Sequence, residues 1–166
     1  MAGLRRAGLP VKIYGDGWPR SPEWKELQSC WGGGSVYGAE YVRQVRQGRI
    51  ALGLVSKGNL DLHTTRSVEI PFIGGAVFCG ERTPEHQAMY REGEEAFFWS
   101  SPEECVAICR RLLADPERCA RVAARARERV LASGLSNDEV LRTILGRIAE
   151  FSPPDPSKRK NQLPSV

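Results

Sequence analysis

No stretch of this 166-residue sequence approaches the roughly 20 consecutive apolar residues needed to span a bilayer. A membrane span is therefore not expected. The opening MAGLRRAGLPVKIYG also lacks the apolar core of a secretory leader, which makes the cytoplasm the default compartment. There is no CxxC pair, and the two histidines are remote from Cys105 and Cys109. Cys105 and Cys109 are one helical turn apart, yet without further ligands nearby no metal site is expected. The cysteines are odd in number (Cys30, Cys79, Cys105, Cys109, Cys119) and lie in or beside apolar runs. They read as buried free thiols of a reducing compartment. A one-sided basic stripe is missing too. The net charge is +4, but setting aside the end of the chain after Phe151 leaves 21 basic against 19 acidic side chains. The arginines between Arg110 and Arg129 alternate with Asp115, Glu117 and Glu128, as on a solvated helix face. Nucleic acid is not an expected partner.

What is present is an alternation of short apolar runs with helical segments, and no internal repeat. Val11–Gly15, Ile50–Val55, Ala76–Cys79 and Ala96–Trp99 have strand length and composition. They lack in/out alternation, as strands buried on both faces of a parallel sheet do. Between them, the stretch Tyr37–Gln47 puts Tyr37, Tyr41, Val42 and Val45 on one helical face and stops at Gly48. Thr83-Pro84 reads as an N-cap and first helical residue, with Gly93 closing that segment.

The second half is helical and well punctuated. Ser101 and Glu104 have capping-box spacing, followed by an apolar face of Val106, Cys109, Leu112 and Leu113. Asp115-Pro116 opens another helix that runs to about Gly134. Ser136 with Glu139 forms a second capping box ahead of Val140, Leu141, Ile144, Leu145 and Ile148. The predicted fold class is α/β, a Rossmann-like doubly wound parallel sheet with carboxyl-terminal helices. A doubly wound domain normally places a strand and its phosphate-facing turn before the first helix. Here the sequence opens on the tail of a helix, MAGLRRAGL. The expected organisation is one domain over residues 1–150 and a disordered tail over 151–166, where prolines and charges leave little to bury.

In doubly wound sheets ligands sit beyond the carboxyl ends of the strands. The loop SKGNLDLHTTR occupies that place after the second apolar run. A helix expected to begin near His63 or Thr64 would offer unpaired backbone N–H groups, two hydroxyls and Arg66, a cradle for phosphate. Glu69, about one turn further, could accept hydrogen bonds from vicinal ribose hydroxyls. The plainer reading has Thr64 capping a helix and Glu69 solvated. From the residues alone, both stand.

The order KIYGDGW, VYGAEYVRQVRQGRIALGLV, DLHTTRSVEIPFIGGAVFC, EGEEAFFWSSPEE and LLADPERCARVAARARERV resembles the carboxyl-terminal, donor-binding domain of two-Rossmann-domain (GT-B type) glycosyltransferases. The similarity is greatest to the family 1 and spore-maturation glycosyltransferase-like group, and it spans about Leu4 to Ile148. The resemblance implies a site for a nucleoside-diphosphate sugar, with no cofactor and no metal. Glu69 takes the place of the ribose-binding glutamate. Asp61 stands where many relatives carry a second glutamate near the donor sugar. Thr64, Thr65 and Arg66 fall at the diphosphate. Tyr14, Gly15 and Trp18 match the loop near the base, where Trp18 either stacks or packs on the surface. His63 reads as a helix-start residue rather than a base, and Gly74-Gly75 as a close helix–strand approach. No residue receives a catalytic role.

The resemblance departs at the front, where an amino-terminal domain and the first strand of this one have no counterpart. The expectation is a truncated or split glycosyltransferase, partnered by its donor and by a separate amino-terminal half. A non-catalytic nucleotide-sugar-binding accessory or sensor module is the alternative. Removing Pro153 to Val166 is expected to leave the melting temperature nearly unchanged, as a differential scan of both forms will show. A large drop would mean that this segment docks.

Overall fold

The computed structural model describes residues 1–151. They divide into a unit of residues 1–133 and a second that begins at Gly134. At the centre of the first unit lie three parallel strands, β1 (Ile50–Gly53), β2 (Val77–Glu81) and β3 (Phe97–Trp99), in spatial order β1-β2-β3. Ile50 pairs with Val77 and Cys79 with Phe97, so each neighbour is reached by a crossover. The helices are α1 (Ala2–Arg6), α2 (Trp24–Leu27), α3 (Gly38–Gln47), α4 (Arg66–Ile73), α5 (Pro84–Met89), α6 (Pro102–Leu113) and α7 (Pro116–Leu131). The α/β class holds.

The first expected strand does not form as one. Val11–Gly15 makes only a single parallel bridge, Ile13 to Trp31. The Ile13 N–H donates to the Cys30 carbonyl at 2.9 Å, and the Ile13 carbonyl accepts from Gly32 N–H at 2.8 Å. The pairing then slips: the Gly15 N–H donates to the Gly33 carbonyl at 3.1 Å, one residue beyond the Gly32 carbonyl that a regular parallel ladder would use, within the run Gly32 to Gly34. The fourth helix also begins later than expected, at Arg66 rather than His63 or Thr64. The segment closed by Gly93 in the sequence is helical only to Met89.

Each face of the sheet carries its own apolar layer. Phe78 and Phe98 turn one way, onto Val45 of α3, Ile70 and Ile73 of α4, Tyr90 and Val130. Val77, Cys79 and Phe97 turn the other way, onto Ile108 and Leu112 of α6 and Cys119 and Val122 of α7. Burial on both faces explains the absence of polar alternation in these strands. On α6 the buried face is Cys105, Ile108, Cys109 and Leu112. Val106 and Leu113, expected there, are half-buried instead. All five cysteines are buried free thiols.

The caps follow the sequence in kind, with one shift. Thr83, Ser101 and Asp115 accept from the backbone N–H groups of His86, Glu104 and Arg118. The Glu104 carboxylate, however, takes the Ser100 N–H at 2.7 Å rather than that of Ser101. In the second unit, α8 (Asn137–Phe151) starts with Ser136 accepting the Glu139 N–H at 3.2 Å. The expected disordered tail lies outside the described residues, apart from Phe151. Among the described residues no helix is long and apolar enough to cross a membrane.

Two glycines were not singled out by any pattern. Gly53 and Gly80 face each other in the β1–β2 register. A Cβ on Gly53 would run into Phe78 Cε2, and one on Gly80 would lie 2.9 Å from Phe78 Cζ. The ring of Phe78, wholly buried, occupies the space that two missing side chains leave. Gly53→Ala is expected to lower stability by about 1–3 kcal/mol through overpacking. Urea denaturation measures it, and an unchanged midpoint would show that the ring yields freely.

Candidate functional site

A cavity of about 820 Å³ opens between the Tyr14–Trp18 loop, α3, β1 and the start of α4. Its mouth, at the carboxyl end of β1, is lined by Tyr14, Gly15, Trp18, Tyr37, Leu54 and Arg66. The loop is held by a dense set of bonds. The Trp18 indole N–H donates to the Tyr14 carbonyl at 3.0 Å, the Trp31 indole to the Gly15 carbonyl at 3.2 Å, and Tyr14 OH to Gln44 Oε1 at 2.6 Å. Asp16 accepts the Ser35 hydroxyl at 2.6 Å and its N–H at 3.3 Å. Those bonds hold the Asp16 carboxyl below its ordinary range. Gly15 sits at φ 133°, where a side chain would be strained, with Trp18 packed on its open face.

Arg66 projects over the Tyr41 ring, its guanidinium carbon 4.3 Å from the centroid, in a cation–π contact. Its Nη1 lies 3.3 Å from Glu69 Oε2, both side chains being about half exposed. Beneath them the Tyr41 hydroxyl is buried without a hydrogen-bond partner among the described residues. Burial pushes its pKa up, against the opposing influence of Arg66. A neutral, unpaired phenol beside an exposed guanidinium is a group with capacity to bind.

The α4 start corrects the expected cradle. The N–H groups of Ser67 and Val68 are already taken by the carbonyls of Thr64 and Thr65, at 2.9 and 3.0 Å. The Thr64 N–H goes to Ser67 Oγ at 3.2 Å. Thr65 precedes the helix without a side-chain cap bond, and only the N–H groups of Thr65 and Arg66 stay open. Thr64 is therefore not the cap. Asp61, half-buried, and His63 lie outside the cavity lining. His63 pairs instead with the Glu85 carboxylate at the start of α5.

What positions this loop is a buried hub. His86 is fully buried, stacked on Phe98 and edge-on to Phe78. Its Nδ1 lies 2.6 Å from the Glu81 carbonyl, which can only accept, so Nδ1 carries a proton. In the neutral ring Nε2 then accepts from the Ser67 hydroxyl, 2.7 Å away. Thr83 Oγ1 donates to the Leu62 carbonyl at 2.6 Å, and the Glu81 carboxylate takes the Val55 N–H at 3.1 Å and pairs with Lys57. With the His63–Glu85 pair, loop 55–65 is thus tied to β2, the Thr83 cap and α5 at four places. Pro71, inside α4, removes the N–H that would reach Ser67's carbonyl four residues back. The Tyr90 hydroxyl fills that role at 2.6 Å.

A family model described as glycosyl transferase-like matches residues 1–146. The chain belongs to that family. No curated protein matches it. The match is made at the level of the whole family and does not single out the spore-maturation group. Membership accords with the α/β fold and with a cavity at the carboxyl end of a parallel strand, where this class of sheet binds ligands.

Of the residues predicted from the sequence, the structure gathers Tyr14, Gly15, Trp18 and Arg66 around one cavity and sets Glu69 against Arg66. It leaves Asp61, His63, Thr64 and Thr65 outside the lining. Tyr41, Gln44, Ser67 and His86 were missed. For His86 a partial signal existed, since it stands three residues after the Thr83 cap. Its partner Ser67, 19 residues away, carried none. Ser67→Ala leaves the Thr64 N–H without its acceptor and His86 without its donor. A loss of about 1–3 kcal/mol is expected, with faster hydrogen exchange at Thr64 to Arg66. Unchanged stability and exchange would show that the hub does not hold the loop.

Proposed function

We propose that residues 1–146 are the nucleotide-sugar-binding domain of a glycosyltransferase, with the cavity mouth as the donor site. The observation that carries this reading is the convergence of the Tyr14–Trp18 loop and Arg66 on one cavity, in a chain of the glycosyl transferase-like family. In this reading Arg66 and the open N–H groups of Thr65 and Arg66 meet the diphosphate. Glu69 takes the ribose hydroxyls, and the faces of Tyr14 and Trp18 border the base. The Trp18 indole N–H is spent on the loop itself, so its contribution to a ligand is its ring face. Asp61, on the same loop, has a carboxylate with no partner among the described residues and remains the candidate for the sugar. His63 serves the loop through Glu85.

The chemistry asked of the domain is electrostatic. During transfer an acceptor hydroxyl attacks the anomeric carbon while the nucleoside diphosphate departs with the bonding pair. A guanidinium at the diphosphate offsets the charge that develops there. Arg66 suits this role because Glu69 holds it only at 3.3 Å, an exposed pair worth little in itself. Its stacking on Tyr41 sets its direction without consuming its N–H donors. The acceptor and the opposite wall of the reaction cleft belong to a second domain in this reading, so what these residues supply to the reaction is donor binding.

Two variants test the assignment by calorimetric titration. Glu69→Ala should weaken a nucleoside and its diphosphate alike, by about 10- to 100-fold for a charged-group bond of roughly 1.5–3 kcal/mol. Arg66→Ala should weaken the diphosphate and leave the nucleoside nearly unaffected. Equal and unchanged affinities in both variants would overturn the site.

A further inference from the structure

Tyr41 of α3 carries a polar group that the rest of the fold leaves unused. Its ring packs on the apolar layer that holds Val45, Ile70 and Phe78, which fixes where the hydroxyl lies. That hydroxyl is buried and has no hydrogen-bond partner among the described residues. A buried hydroxyl left unpaired lowers stability, and a phenylalanine would fill the same space without that loss. The phenolic oxygen is therefore of use only in another state of the site.

The first turn of α4 shows which state. Arg66 lies over the Tyr41 ring, 4.3 Å from its centroid, and is paired with Glu69 at 3.3 Å. Both act on the Tyr41 hydroxyl: burial raises its pKa most, the guanidinium lowers it and the carboxylate raises it. These are the influences of groups at hydrogen-bonding range, yet neither meets the hydroxyl in bonding geometry. Of the two, only Glu69 can accept the phenolic proton, because a guanidinium has donors and no acceptor. Arg66 and Tyr41 therefore compete for one carboxylate. The contact that Arg66 makes with it is long for a charge-assisted bond, and both side chains are about half exposed, so little holds that pair together.

We infer that Tyr41 is a positioning residue of the donor site, whose hydroxyl donates to Glu69 once Arg66 turns from that carboxylate to the diphosphate. The inference rests on the donor reading and extends it. With a nucleoside bound, no phosphate draws the guanidinium away, and Arg66 keeps its place on Glu69. With a diphosphate bound, Arg66 leaves, and Glu69 would face the ribose hydroxyls with nothing behind it. The phenolic O–H then takes the vacated position and holds one carboxylate oxygen while the carboxylate accepts from the ribose. No proton is transferred. Burial keeps the phenol protonated and thus a donor, and its ring stays beneath the guanidinium in both states.

The test uses Tyr41→Phe, Glu69→Ala and the double variant of the 166-residue chain. Each is titrated calorimetrically with uridine, thymidine, cytidine, adenosine and guanosine and with their diphosphates, and urea midpoints are measured without ligand. Tyr41→Phe should leave the midpoint unchanged or raise it, because an unpaired buried hydroxyl is removed. It should weaken the diphosphate that the unsubstituted chain binds best by about 10-fold, and the matching nucleoside by no more than about 2-fold. On the Glu69→Ala background it should add nothing, since the group it acts through is gone. Three results would overturn the inference: a diphosphate affinity that Tyr41→Phe does not change, a weakening that persists on Glu69→Ala, or an equal weakening of nucleoside and diphosphate with a lowered midpoint, which is the mark of a structural role. Failure of the donor reading looks different. If the unsubstituted chain binds none of the five diphosphates, that reading falls and takes the inference with it.

Discussion

The imidazole of His86 is the point on which the carboxyl-terminal end of the sheet depends. It is buried between two phenylalanines, where an unmet polar group costs about 1–3 kcal/mol, and it has one acceptor and one donor to satisfy. Glu81's carbonyl decides which nitrogen holds the proton, and that choice obliges Ser67 to donate. Ser67 in turn accepts from Thr64. One tautomer therefore connects the last residue of β2, the first turn of α4 and the loop that precedes it. The hub thus fixes the backbone next to Arg66, while the Tyr41 ring sets the direction of its side chain.

The packing around this hub bears on why β1 ends at Gly53. Phe78 needs the space over Gly53 and Gly80, and glycines opposite each other give a ladder little side-chain pairing to extend. Pro71 is tolerated in α4 for a comparable reason: the carbonyl it orphans is met from another element, by Tyr90. Arg127 and Arg46 treat the other end of α4 in the same way, donating to the carbonyls of Phe72 and Ile73. A helix of eight residues is thus held at both ends by side chains remote in sequence.

The cavity has two chemical characters, and they divide along the strand direction. Its mouth is polar and carries a cation, an unpaired phenol and open N–H groups; its depth is apolar and edged by backbone. That places the polar groups at the carboxyl end of a parallel strand, where sheets of this class bind ligands.

Reading residues in order was enough for much of this protein. The alternation of apolar runs and helical faces, the caps at Thr83, Ser101 and Asp115, and the buried state of the cysteines are set by local pattern, because hydrophobic period and cap chemistry act within one or two turns. The same holds for the loop that carries Arg66, with Glu69 one turn on. The tertiary structure decided what local pattern cannot encode. It reduced Val11–Gly15 to a single bridge, because a strand exists only where a neighbour keeps its register, and the pairing slips by one residue at Gly33. It moved Thr64 and Thr65 out of the cavity and drew Tyr41 into it. It joined His86 to Ser67, a bond set by how two elements pack rather than by anything near either residue in the chain.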